Sequence, residues 1–204
     1  MDTDFLINKY KLNKKQVLLI NNYIQKLKKS NKTHNLVGPS TLKIVWDRHI
    51  NDSLQLSDFI PKKKSSIIDL GTGAGLPGVI LSIFGYSNVV LVDSKIKKIN
   101  FIREFANEQN IEIKTVCSRV ENIKNHKFDV IICRAFAPLT KLLDYSLFFT
   151  KKNTSLLFLK GRSVNKEIED AKKYFNFKYD LFPSVSDGGG FVLKINKYKK
   201  LWKK

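Results

Sequence analysis

Cysteine is nearly missing from this sequence: two residues, Cys117 and Cys133, stand among 204. They are too few and too far apart for a zinc site or a redox pair, so no metal centre is expected. Each ends an apolar, strand-like run and reads as a buried, inert thiol. Arginine is scarce too, with five (Arg48, Arg103, Arg119, Arg134 and Arg162) among 37 basic residues, so a general lysine bias explains part of the charge. Acidic residues number only 18, which leaves a net charge of +19. A field of that size attracts polyanions, making nucleic acid the leading macromolecular partner and an anionic membrane surface the next. No apolar run, Val17–Ile20 and Val89–Val92 included, is long enough to cross a bilayer. Met1-Asp2-Thr3-Asp4 lacks the basic flank and apolar core of a signal peptide, so the expected location is the cytoplasm.

What is present supports a real core, since 43% of residues are hydrophobic and 11% aromatic. The first 60 residues read as helical. Asn13 with Gln16 forms a variant capping box, and Val17, Ile20, Ile24 and Leu27 recur at helical spacing. After a turn at Gly38-Pro39, a second helical segment runs over about 41–59. From Ser65 the pattern changes to short apolar runs: Ile67–Leu70, Val89–Val92, Ile111–Val116, Val130–Cys133, Leu156–Leu159, Tyr179–Phe182 and Phe191–Ile195. Helical segments alternate with them near Leu76–Phe84, Lys95–Asn107, Pro138–Phe149 and Val164–Phe175. Such alternation predicts an α/β fold with a mainly parallel sheet covered on both faces. The expected division is a helical extension over 1–61 and a catalytic domain over 62–204. Lys194–Lys204, with six lysines around Tyr198 and Trp202, reads as a fraying basic tail.

The stretch Asp69-Leu70-Gly71-Thr72-Gly73-Ala74-Gly75-Leu76-Pro77-Gly78 follows a strand and opens a helix, the context of a nucleotide-binding loop. Gly73, Gly75 and Gly78 fit G-x-G-x-x-G, a weak signal alone. Asp69 turns the reading from a dinucleotide to S-adenosylmethionine. A carboxylate there repels a pyrophosphate but suits an ammonium, directly or by orienting the loop. Asp93 ends the next strand, 24 residues after Asp69, where a carboxylate can accept from both ribose hydroxyls. Both aspartates could instead be ordinary helix caps, and a nicotinamide enzyme is the runner-up for this loop. No Walker-type lysine and hydroxyl follow it, which disfavours phosphoryl transfer.

With these residues in view the chain resembles a known family, the bacterial small-subunit ribosomal RNA guanine-N7 methyltransferases, also called glucose-inhibited division protein B. The resemblance is carried by Asn35-Leu36, Arg48–Ser53, Asp69–Gly78, Val92-Asp93-Ser94, Ser118–Glu121, Arg134–Ala137 and Leu159-Lys160-Gly161. It implies a class I S-adenosyl-L-methionine-dependent methyltransferase fold with a seven-stranded sheet, acting on N7 of a specific guanine in 16S rRNA. It also implies cofactor contacts at Gly71, Leu76, Val120, Glu121 and Arg134, which join Gly73, Gly75 and Asp93 from the reading of the loop and strand end. Arg134 is the candidate catalytic residue, with a structural ion pair as its alternative. The implied partner is rRNA or the ribosomal subunit, with no membrane and nothing demanding more than a monomer. Ala74 replaces a usual proline, and Asp187–Phe191 departs from the family's pattern after Asp-Gly.

Arg48 and His49 are candidates for the substrate entrance, or else pair with Asp52. Lys160 either meets RNA phosphate or is solvated. His34 and His126 read as isolated surface histidines. The lysine runs at 62–64, 97–98, 151–152 and 199–200 suggest a docking surface only in sum. N7 of guanine carries a lone pair and no proton, so a missing catalytic dyad is expected. Methyl transfer to a small molecule or protein is the second reading, and an RNA-binding module without catalysis the third.

Overall fold

The computed structural model describes residues 3–123, 126–186 and 189–201. The chain opens with α1 (Thr3–Lys9) and α2 (Lys14–His34). The capping box forms as the sequence indicates. Asn13 Oδ1 accepts from Gln16 N (2.9 Å) and Gln16 Oε1 from Asn13 N (3.0 Å), satisfying two donors that a helix start otherwise leaves open. The apolar face of α2 buries Leu19, Ile20, Tyr23, Ile24 and Leu27, each stabilising the fold by roughly 1.5–3 kcal/mol.

The second helical segment is less regular than the spacing predicts. It comprises a 3-10 turn (Pro39–Ile44), a π-helix (Trp46–Asn51), a short α3 (Asp52–Leu54) and a further 3-10 turn (Gln55–Asp58). The wide π turn redirects side chains between two packed neighbours, a device common near functional sites.

Seven strands follow: β1 (Ile67–Leu70), β2 (Val89–Asp93), β3 (Lys114–Cys117), β4 (Val130–Arg134), β5 (Ser155–Lys160), β6 (Phe175–Pro183) and β7 (Phe191–Lys200). Their order is β3-β2-β1-β4-β5-β7-β6, with β1 to β5 parallel and β7 antiparallel to both neighbours. Asp69 on β1 faces Leu91 on one side and Ile132 on the other. Strands covered on both faces need apolar residues throughout, which is why β1, β2 and β4 lack clean alternation. α4 (Gly78–Ile83), α5 (Ile96–Glu108), α6 (Leu139–Ser146) and α7 (Val164–Lys172) complete the layers. The N-terminal helices join α4 and α5 in one apolar cluster, and α6 and α7 lie in the other.

Three expectations change. The helix expected to run to Phe175 stops at Lys172, and Phe175 instead opens β6 opposite Lys200. Residues 194–200 are not a frayed tail: they form the second half of β7, where register with β6 satisfies their backbone. Trp202, Lys203 and Lys204 lie outside the described residues, as do Asp187 and Gly188 of the departing segment. Cys117, at the end of edge strand β3, is exposed; Cys133, on central β4, is buried. The register between β6 and β7 shifts at Lys178/Tyr179, where Asn196 of β7 is the extra residue of a bulge.

Candidate functional site

Three cavities open beyond the C-terminal ends of the parallel strands, where open α/β sheets bind ligands. The first, about 240 Å³, is lined by Gly71, Asp93, Val120, Glu121, Phe136 and Tyr145, among others. A loop cavity of about 270 Å³ is lined by Gly71, Gly73, Leu76, Arg48, His49 and Arg134, among others. An outer cavity of about 590 Å³ includes Arg134, Phe136 and Lys160. Gly71 borders the first two, Phe136 the first and third, and Arg134 the second and third.

The loop between β1 and α4 is built around Asp69, which is fully buried. Its Oδ2 accepts from Thr72 Oγ1 (2.6 Å) and Gly78 N (2.9 Å), closing the turn. Its Oδ1 is buried with no hydrogen-bond partner. Burial pushes the carboxyl up to about 6, against the two hydrogen bonds that favour ionisation. Asp69 itself lines none of the three cavities, so it would act on a cationic ligand group by its charge and through the loop it closes. Gly71 and Gly73 have φ of 67° and 60°, in the left-handed region that glycine enters without strain. A Cβ on Gly71 would collide with the Phe136 ring.

Asp93 Oδ2 accepts from Gly73 N (3.0 Å) and Oδ1 from Lys95 N (2.9 Å), tying the loop to the tip of β2. Each oxygen keeps a second lone pair, as ribose hydroxyls would need. Glu121 is held by the Tyr145 hydroxyl (2.7 Å), the main reason its carboxyl titrates below the usual range. The residues present therefore fit S-adenosylmethionine. Asp69 and the glycine loop suit its amino-acid end, Asp93 its ribose, and Val120 with Glu121 its base.

Arg134 ends β4 and is largely buried. Its Nη1 lies 3.6 Å from Asp52 Oδ2 and donates to the Arg48 carbonyl (3.2 Å) across the π-helix. The structural ion pair weighed for Arg134 is thus present, while the side chain also borders two cavities. Asp52 pairs with Arg134 rather than with Arg48 or His49. His49 lines the loop cavity but is only 4% exposed, with Nε2 2.8 Å from Thr41 Oγ1. Burial, with Arg134 and Arg48 adding to it, drives the imidazole down to about 3, so it is neutral at physiological pH. Lys160 is largely buried rather than solvated: it lines the outer cavity, is 2.5 Å from Glu167 Oε2 and donates to the Ala137 carbonyl.

Residues 16–187 match the family described as GidB, rRNA small subunit methyltransferase G. The chain belongs to this family. The ribosomal RNA small subunit methyltransferase G of Orientia tsutsugamushi (strain Ikeda) is 38% identical over 192 residues, covering 94% of this chain and 96% of that protein. The Rickettsia prowazekii (strain Madrid E) protein of the same name is 37% identical over 175 residues, covering 86% and 91%. Among solved structures, a SAM-dependent methyltransferase from Aquifex aeolicus superposes with a TM-score of 0.60 at 18% identity, covering 82% of this chain and 98% of that one. The M. jannaschii TYW2 structure in complex with AdoMet gives 0.55 at 12% identity, covering 75% and 76%. These two show that the GidB chain has the class I methyltransferase fold.

Of the positions singled out in the sequence, Gly71, Gly73, Leu76, Asp93, Val120, Glu121 and Arg134 converge on the cavities. Gly75 lines none of the three. Its φ of 93° and the collision a Cβ would make with Val79 mark it as the close contact between loop and α4. Sequence reasoning missed Phe136 and Tyr145, whose rings stack at 5.9 Å and 28°. It also missed Tyr23, which is fully buried on α2 and donates to the Ala74 carbonyl (2.9 Å) from 51 residues away. No local spacing signals a contact of that range.

Two consequences are measurable. Asp93→Ala removes the acceptor for two backbone donors and a carboxylate that lines the first cavity. Cofactor affinity by calorimetry should weaken by about 1–3 kcal/mol, and an unchanged constant would remove Asp93 from the site. The second concerns Asp69. Because its folded pKa is raised, the stability it contributes is present below its unfolded value of 3.8 and lost as pH rises through about 6. A cationic ligand needs the ionised form. Affinity should therefore fall roughly tenfold from pH 7 to pH 5, and Asp69→Asn should flatten the profile; a slope that survives in the variant would assign it elsewhere.

Proposed function

We propose that the chain transfers a methyl group from S-adenosylmethionine to N7 of one guanine in small-subunit ribosomal RNA. The observation that carries this reading is the junction around Gly71, Phe136 and Arg134, which between them border a cofactor-sized pair of cavities and a larger, open one. Membership of the GidB family and the net charge of +19 support RNA as the acceptor. When bound, the cofactor supplies an electrophilic methyl on a sulfonium. Asp69 and the loop hold the cationic end, Asp93 orients the ribose, and Glu121, fixed by Tyr145, borders the base. His49 stays neutral and takes no proton in the physiological range. None is needed, because N7 attacks through a lone pair and loses no hydrogen. Rate enhancement then rests on alignment and on fixed charges around the junction, Arg134 with Asp52 foremost.

The test is transfer of labelled methyl to total RNA and ribosomal subunits from a strain lacking this protein, with the labelled base mapped. Label at N7 of one small-subunit guanine is the expected result. A bound cofactor with no label on any RNA would overturn the acceptor assignment.

A further inference from the structure

The outer cavity has a character distinct from the two that fit the cofactor. It lies at the ends of β4 and β5, bordered by Arg134, Phe136, Lys160 and Phe191, and its volume is ample for a nucleotide. Four of the five charged side chains that line it are paired, and Arg48 is the fifth. Arg134 faces Asp52, and Lys160 faces Glu167 at 2.5 Å. Asp52 Oδ1 also accepts from Gln55 and Ser184. A cavity whose charges are mostly paired is better suited to a flat, uncharged group with a polar rim than to several phosphates.

The ring of Phe136 divides this cavity from the one at Asp93 and Glu121. It is 39% exposed, the exposed large hydrophobic side chain among the described residues lining the three cavities. Its placement is over-determined. Gly71 leaves no room for a Cβ beneath it, Tyr145 stacks on it, and the preceding Ala135 is held at φ 50°. A non-glycine residue in that region is strained, and such strain persists where surrounding structure imposes a position.

The chemistry of the proposed reaction gives the ring a role. The N7 lone pair forms the new N–C bond as the C–S pair returns to sulfur. No proton leaves, so the positive charge passes from the sulfonium to the guanine ring. An aromatic face stacked on that ring gains attraction as the charge arrives, so it favours the transition state over the bound substrate.

We propose that the outer cavity is the receptor for the target base, and that Phe136 is its stacking platform, stabilising the charge the base acquires. This rests on the function proposed above. The test replaces Phe136 with leucine and, separately, with phenylalanines bearing one, two and three ring fluorines, which keep the shape while draining the ring face of electrons. Single-turnover methyl transfer to unmodified subunits is measured with cofactor affinity by calorimetry and RNA affinity by filter binding. Expected is a loss of tenfold or more in the chemical step for Phe136→Leu, with both affinities within about threefold. The fluorinated series should show a rate that falls with each fluorine. A flat fluorine series, or a leucine variant as fast as wild type, overturns the stacking role and leaves the proposed function intact. A wild-type protein that labels no RNA overturns the function itself and the receptor with it.

Discussion

Gly73→Arg should abolish measurable cofactor binding while leaving the fold in place. At this position a Cβ would meet nothing nearer than 4.0 Å, namely the Gly71 carbonyl oxygen and Lys98 Nζ. The new side chain therefore does not break packing; it grows into the loop cavity of about 270 Å³. The backbone cost of a non-glycine residue at φ 60° is about 1–2 kcal/mol, which a domain of this size tolerates. Calorimetry should detect no heat of binding, and the melting temperature should drop by only a few degrees. Gly75→Arg makes the useful contrast, since its Cβ would collide with Val79 and loosen the loop from α4. A Gly73→Arg protein that binds the cofactor at near-normal affinity would place the ligand elsewhere.

Arg134→Met is the second large effect, and it reads on stability as well as activity. Removing the guanidinium leaves the buried Asp52 Oδ2 facing an apolar group. Breaking a buried pair on one side costs about 3 kcal/mol or more, which corresponds to roughly 10 °C in melting temperature for a chain of this length. The Arg48 carbonyl loses its donor as well. Pairing the change with Asp52→Asn should recover a good part of the stability, because an amide tolerates the lost partner. It should not recover methyl transfer. If the double variant melts no higher than the single one, the pair is not what Arg134 contributes to the fold.

The sheet was legible because its strands are short apolar runs set between amphipathic helices, and burial on both faces leaves that pattern little freedom. The cofactor loop was legible because Asp69 and Asp93 sit at strand ends, where sequence position nearly determines spatial position. What escaped depends on contacts between distant segments. Tyr23 reads as one more apolar residue of α2 until the loop carbonyl above it is seen. Phe136 sits in a motif without a role until Gly71 is placed beneath it. The π turn at Trp46–Asn51 has no sequence signature, and what it brings together, the Arg48 carbonyl and Asp52 at Arg134, lies far apart in the chain from β4. The lysine-rich end was misread for a related reason. Charge suggested solvation, but alternation of Leu193 and Ile195 with lysines is also the pattern of a strand with one wet face.

The bulge opposite Lys178/Tyr179 bears on how the molecule behaves in a crowd. β6 is nine residues long and, among the described residues, has one side with no strand against it, the kind of border along which chains add to one another and precipitate. The bulge at Asn196 of the neighbouring β7 adds twist opposite the middle of that border, Lys178 places a charge on it, and Pro183 ends it with a residue that has no amide hydrogen to offer. The opposite border, β3, is only four residues long and begins with Lys114. Neither side thus presents a long, flat template to a passing strand, and a chain rich in exposed lysine can meet polyanions without also recruiting copies of itself through its sheet.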